Sequence, residues 1–220
     1  LAISYFVTST GTGIGKTYVT TALIRLARSK NMKVAAFKPV ISGFDKREIT
    51  GSDTGQILAA LGEPLTDEAV ARISPWRFAA PLAPNMAARA EGRMLDCDAL
   101  FSFSRRVLQE QANVTLIEGV GGVMVPLDDE KTVLDWIVAA GAPVILVVGD
   151  YLGTISHTLT ALEVLRAKGV AIAAIVVNEG EKASVPFAEM LAEITRWTAP
   201  IPVLALRRGM DSAALASLLP

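Results

Sequence analysis

The residues most suited to chemistry lie near the start of the chain, where Thr8–Tyr18 reads Thr-Ser-Thr-Gly-Thr-Gly-Ile-Gly-Lys-Thr-Tyr. An apolar run, Ile3–Val7, precedes this stretch and a helical pattern from Thr17 to Lys30 follows it. A strand, a glycine-rich turn ending in Gly-Lys-Thr and a helix together make the layout of a phosphate-binding loop. Backbone N–H groups of the turn and of the first helical turn converge on one place, where an anion is favoured. Glycines at 11, 13 and 15 permit the backbone conformations and the close approach that such a turn needs. Lys16 can reach β- and γ-phosphates, and the Thr17 hydroxyl can ligate Mg²⁺. The strict spacing asks for glycine at position 10, and Thr10 stands there instead.

Other strand ends add partners. Lys38 closes the run Lys33–Lys38, with Ser42 close behind, and Asp53 stands at the next helix start. Glu118 ends the run Val114–Glu118 and leads into Gly119-Val120-Gly121-Gly122, while Asn178 ends a later run. A lysine that finishes a buried strand is costly to desolvate unless it meets an anion. Asp53 and Glu118 beside the Thr17 hydroxyl could hold Mg²⁺ among ATP phosphates. Two lysines converging on one phosphate site suggest phosphoryl transfer, in which fixed cations stabilise a highly charged transition state. Blander roles stay open at this point: Asp53 as a plain N-cap, Asn178 as a turn residue rather than a reader of adenine, and Lys38 as a solvated surface group. His157, Cys97, Trp76, Trp136 and Trp197 read as packing or surface residues, and Arg207-Arg208 as a solvated pair.

The elements that must position these groups alternate along the chain. Strand patterns fall at Ile3–Thr8, Lys33–Lys38, Val114–Glu118, Pro143–Gly149, Val170–Val177 and Ile201–Leu206. Helical patterns fall at Ser52/Asp53–Leu61, Met86–Glu91, Asp98–Gln111, Thr132–Ala140, Gly153–Lys168, Ser184–Trp197 and Asp211–Leu218. In Gly153–Lys168, residues Ile155, Leu159, Leu162 and Leu165 define the expected apolar face. Val40–Gly51 reads as a loop and the proline-rich stretch Gly62–Pro84 as irregular. The alternation predicts an α/β fold, one doubly wound and mainly parallel sheet over residues 1–220 with helices on both faces. Ligands in such sheets sit beyond the carboxyl ends of the strands.

Composition narrows the class. Apolar residues make up 51% of 220, enough for a substantial core, and the formal charge of −1 sets up no global attraction to nucleic acid or anionic membrane. A single cysteine excludes an internal disulfide and any multi-cysteine metal site. The longest apolar run, Ala139–Gly149, is interrupted by Gly141 and Pro143 and is too short to span a bilayer. No targeting pattern precedes the first strand, so a soluble, cytoplasmic protein is expected.

Assembled, these residues resemble the dethiobiotin synthetase family, ATP-dependent cyclo-ligases within the P-loop NTPase superfamily. The resemblance spans nearly the whole chain. It is strongest at Tyr5–Thr17, Phe37–Gly43 (FKPVISG), Ser52-Asp53, Glu118–Gly122 (EGVGG), Pro143–Asp150 and Val176–Asn178. It implies carboxylation of 7,8-diaminopelargonic acid by CO2 to a carbamate, attack of the carbamate on the ATP γ-phosphate, and closure of a cyclic urea with loss of phosphate. By the same resemblance, Lys38, Lys16 and Thr12 are catalytic, and Thr17, Asp53 and Glu118 hold Mg²⁺. ATP lies against Gly13, Ile14, Gly15, Lys16, Thr17, Tyr18, Asp53, Glu118, Gly119, Val120, Gly121 and Asn178. Ser42 and the Ala80–Pro84 segment, Pro81 included, face substrate. The family is homodimeric, so Leu152, Gly153, Thr154, Ile155 and Ser156 of the partner would bind the substrate carboxylate.

The chain departs from the family pattern at several points. Ser9 stands where the family usually has Gly, Gly11 where it often has Asp, and Gly13 where an acidic residue is common. Asn85 replaces a frequent His, Ser156 a frequent Asn, and Leu206-Arg207-Arg208 a strand followed by Pro. Competing readings fit less well. An ATP-dependent switch of the partitioning or targeting type would carry a lysine early in the loop, at the position of Gly11. A cobyrinic-acid-type amide ligase needs an ammonia source, and a GTPase needs a guanine-reading motif that Asn178-Glu179-Gly180-Glu181 lacks.

Overall fold

The computed structural model describes residues 2–181, 185–210 and 212–220. Six parallel strands form the central sheet: β1 (Ile3–Ser9), β2 (Val34–Phe37), β5 (Val114–Glu118), β6 (Val144–Gly149), β7 (Ile172–Asn178) and β8 (Val203–Leu206), in the order β2-β5-β1-β6-β7-β8. β5 and β6 are buried at every residue, as expected for strands covered on both faces.

Successive β1 side chains serve opposite cores. Phe6 packs edge-on to Trp136 at 4.9 Å between centroids, and Val7 joins the other layer with Val19, Leu23 and Ile24. The first layer is covered by α5 (Cys97–Val107), α6 (Val133–Ala140), α7 (Thr154–Ala167) and α8 (Phe187–Thr198). The second is covered by α1 (Lys16–Ser29), α2 (Asp53–Leu61) and the short 3-10 segment Ser212–Leu218. Helices on both faces of a parallel sheet make the doubly wound arrangement, with its crevice at the carboxyl ends of the strands.

Three expectations need correction. Gly62–Pro84 is ordered: it holds α3 (Asp67–Ile73) and β4 (Trp76–Phe78) and leads into α4 (Pro84–Ala90), and β4 pairs in parallel with β3 (Val40–Ser42), inside the expected loop. Thr66 caps α3 by accepting from the Ala69 N–H, and the acidic first turn of Asp67 and Glu68 complements the helix dipole. The face of α7 is rotated: Thr154, Thr158, Ala161, Leu162 and Leu165 are buried, while Ile155 and Leu159 are only half-buried. The C-terminal segment is a 3-10 rather than an α-helical run. The expected starts at Ser184 and Asp211 lie outside the described residues. Among the described residues no helix is long and apolar enough to cross a membrane.

Candidate active site

The phosphate-binding loop leaves β1 and enters α1 through Gly15, whose φ of 98° is left-handed. A Cβ there would lie 2.2 Å from Asn178 Nδ2, so both the backbone and the space require glycine. No side chain caps α1, which leaves the N–H groups of its first turn for an anion.

Behind the loop, three charged side chains interlock with the Thr17 hydroxyl. Lys38, 2% exposed, donates to Glu118 Oε1 at 2.9 Å and to the Gly119 carbonyl at 2.6 Å, and its Nζ lies 3.4 Å from Asp53 Oδ2. Thr17 Oγ1 lies 2.8 Å from both Asp53 Oδ1 and Glu118 Oε1. Glu118 is fully buried, and its second oxygen, Oε2, has no hydrogen-bond partner. Burial works against the Lys38 charge, but Glu118 and Asp53 outweigh it and hold the ammonium above the ordinary lysine value. Asp53 is held below the ordinary carboxylate range, because Lys38 and the Thr17 hydroxyl overcome its desolvation. Lys16 differs: burial, reinforced by the Lys38 charge, pushes it down to about 8.

Lys16, Thr17, Lys38 and Asp53 open onto a cavity of about 710 Å³. Of the expected residues, Thr12, Gly13, Gly15, Lys16, Thr17, Lys38, Ser42, Asp53, Pro81, Val120 and Gly121 line it. β3 delivers Ser42, whose buried hydroxyl has no partner and is available to a ligand. The structure does not bring Ile14, Tyr18, Glu118, Gly119, Asn178 or Leu152–Ser156 to the cavity wall, Glu118 lying fully buried behind Thr17 and Lys38. Ile14 and Gly119 act through their carbonyls, toward Asn178 and Lys38 respectively, and Tyr18 is exposed on the outside of α1. Asn178 donates to the Ile14 carbonyl at 3.0 Å and keeps a free acceptor, Oδ1. Leu152 is 82% exposed, and the Thr154 side chain is buried under the helix start rather than turned outward. Sequence reasoning missed Ile41 and Val125, which give the cavity apolar walls. Ile41 lies inside the motif Phe37–Gly43 and could have been found there, whereas nothing in the sequence marks Val125.

The residues that could hold a divalent cation are Thr17, Asp53 and Glu118. Two carboxylates and a hydroxyl are hard oxygen ligands, and the orphaned Glu118 Oε2 is a buried acceptor suited to one. Among the described residues no cluster of three or more His, Cys, Asp and Glu side chains forms an all-protein cage. That donor set fits Mg²⁺, which shares its coordination with phosphates and water.

A family profile described as an AAA domain matches residues 4–206. The chain is 50% identical over 212 residues to the ATP-dependent dethiobiotin synthetase BioD of Phenylobacterium zucineum, covering 95% of this chain and 90% of that one. It is 54% identical over 177 residues to the Caulobacter vibrioides protein of the same name, covering 80% of each. Among solved structures, the septum site-determining protein MinD of Pyrococcus horikoshii, complexed with Mg-ADP, superposes with a TM-score of 0.55 at 17% identity, covering 94% of this chain and 82% of that one. That likeness bears on the fold alone. With half or more of the aligned residues identical over most of each chain, the chain belongs to the ATP-dependent dethiobiotin synthetase family.

Proposed function

We infer that residues 1–220 act as one synthetase domain that converts 7,8-diaminopelargonic acid, CO2 and ATP into dethiobiotin, ADP and phosphate. The observation that carries this reading is Lys38, a buried ammonium between Glu118 and Asp53 on the same cavity as Lys16 and the loop N–H groups. A nucleotide site alone has no use for a second buried lysine; a reaction that joins a carbamate to a phosphoryl group has.

In the first step an amine attacks CO2 and releases a proton, giving a carbamate. Lys38 offers the positive charge that such an anion needs, and the Ser42 and Thr12 hydroxyls orient it. In the second step a carbamate oxygen attacks the γ-phosphorus and ADP departs, leaving a carbamic-phosphoric anhydride. Lys16 and the N–H groups at the start of α1 stabilise the charge on the phosphoryl oxygens. In the third step the second amine attacks the carbonyl carbon, phosphate leaves, a proton is lost and the five-membered urea closes. Thr17, Asp53 and Glu118 would hold Mg²⁺, which neutralises phosphate charge when bound. Asn178 Oδ1 is the acceptor suited to the adenine amino group.

The uncapped start of α7, with Leu152 exposed, supports a homodimer in which Leu152–Ser156 of the partner receives the substrate carboxylate. A reaction on small soluble substrates suits the cytoplasm. The test is a phosphate-release assay with ATP, Mg²⁺, bicarbonate and the diamine, with mass analysis of the product and Lys38→Ala alongside. A cyclic urea formed only with the diamine, and lost in Lys38→Ala, is expected. ATP turnover indifferent to the diamine would overturn the reading in favour of an ATP-dependent switch.

A further inference from the structure

Ser9 has no part in the scheme above, yet its hydroxyl is the most connected in the loop. It is fully buried at the end of β1. Its Oγ lies 2.5 Å from the Gly11 carbonyl, 3.1 Å from the Gly121 carbonyl, 3.3 Å from the Gly11 N–H and 3.1 Å from Lys16 Nζ. A serine hydroxyl has one proton and two lone pairs. It donates to a carbonyl and accepts from Lys16 and the Gly11 N–H, so its capacity is filled. The Ser9 carbonyl also accepts from the Val123 N–H at 3.1 Å, which joins residue 9 to the loop after β5 a second time.

The same bonds constrain Lys16. An ammonium has three donors. Ser9 Oγ takes one at 3.1 Å and the Gly11 carbonyl takes a second at 3.3 Å. The side chain is 7% exposed and lines the cavity. With two donors held at the base of the loop, the third is left for the cavity.

We propose that Ser9 is a positioning residue for Lys16, aiming its remaining N–H bond at the transferring phosphoryl group. The inference rests on the assignment of Lys16 to ATP phosphates made above. It has a consequence that a packing role does not share. In Ser9→Ala a methyl group occupies the site, so the bond to Lys16 is lost and cannot be replaced. In Ser9→Gly the side chain's volume is open to a water molecule, and four polar partners surround it, enough to fix that water. A water in that place restores the bridge.

Steady-state kinetics, ADP binding by calorimetry and thermal melting on wild type, Ser9→Ala, Ser9→Gly and Lys16→Ala test this. Ser9→Ala is expected to lose at least about tenfold in kcat, the scale of a hydrogen bond to a charged group. Ser9→Gly is expected to stay within about threefold of wild type, the difference being the bridging water. ADP dissociation constants should follow the same order. Melting temperatures should run the other way, because glycine at a strand end lowers stability more than alanine does. Ser9→Gly as impaired as Ser9→Ala in kcat and ADP binding, while Lys16→Ala is inactive, would overturn the proposal alone. Undiminished turnover in Lys16→Ala would remove the reading beneath it.

Discussion

Two helices of this protein begin in the same way and end up in opposite surroundings. α1 and α7 are each 14 residues long, each is entered through a left-handed glycine, Gly15 with φ 98° and Gly153 with φ 96°, and neither has a side-chain cap. Both therefore present free N–H groups suited to an anion. Around the first start the chain gathers Lys16, Lys38, Thr17, Asp53 and Glu118, and the cavity is walled by five segments of the same polypeptide. Around the second, among the described residues, it gathers no such charged cluster: Leu152 and Ser156 are exposed, and Tyr151 is bonded to His157 at 2.8 Å and reaches Thr10 at 3.4 Å. The cluster beside α1 is built within one chain, whereas the carboxylate site proposed for α7 would be completed by a second.

The sharpest way to break the first half of this contrast is Lys38→Ala. It removes the charge proposed to meet the carbamate and leaves Glu118 buried without its partner. We expect kcat to fall by about 10³ or more in steady-state assays. Denaturant unfolding should show a loss of about 3 kcal/mol, the scale of breaking a buried pair from one side.

The second half is tested by Ser156→Glu, which sets a like charge against the substrate carboxylate. The KM for the diamine should rise at least about tenfold while ADP binding is unchanged. Mixing equal amounts of Ser156→Glu and Lys38→Ala then decides whether the site is shared. Half of randomly exchanged dimers are mixed, and one of the two sites in each mixed dimer is free of both changes. With diamine held well below its KM, about a quarter of wild-type turnover should return. No recovery after subunit exchange would place both ends of the substrate on one chain.

The two lysines of the phosphate end separate with pH. Lys16, pushed down to about 8 by burial first and Lys38 second, loses its proton above that pH, whereas phosphates favour the ammonium. ATP binding at about pH 9 should therefore take up a proton, and the dissociation constant should rise by up to about tenfold per pH unit. Lys38, raised by Glu118 and Asp53 against its burial, keeps its charge through this window. Calorimetry in buffers of different ionisation enthalpy reads the proton directly. The smallest effect expected is that of Asn178→Ala, which removes one acceptor and the brace on Ile14; ATP KM should rise about fivefold and the diamine KM should not move.

How much of this was legible beforehand depended on how local the cause was. The loop, Lys38 at its strand end and Glu118 at the end of Val114–Glu118 follow from short patterns, and the structure places them together around Thr17. Asp53 is not the N-cap: Ser52 accepts from the Gly55 N–H, which leaves the Asp53 carboxylate to turn toward Lys38. The paired strands β3 and β4 have three residues each, too few for a periodic signal, and only tertiary pairing defines them. α3 lay hidden between Pro64 and Pro75, although Thr66 followed by acidic residues marked its start. Ser9 could be noticed as a departure from the family pattern, but its hold on Lys16 depends on the rotamers of two buried side chains, which no spacing encodes.

Gly15 and Asn178 touch, yet they are not equally free to change over time. Any side chain at 15 meets a backbone that disfavours it and an amide 2.2 Å away, so shrinking Asn178 relieves only one of two obstacles. Replacing Asn178 meets no such double barrier, since its cost is a hydrogen bond to the Ile14 carbonyl and a buried, unpartnered acceptor. Under the roles proposed for them, the grip on phosphate is frozen while the reading of the base is open to drift. A lineage carrying this fold could then retune which nucleotide it burns without rebuilding the machinery that cleaves it.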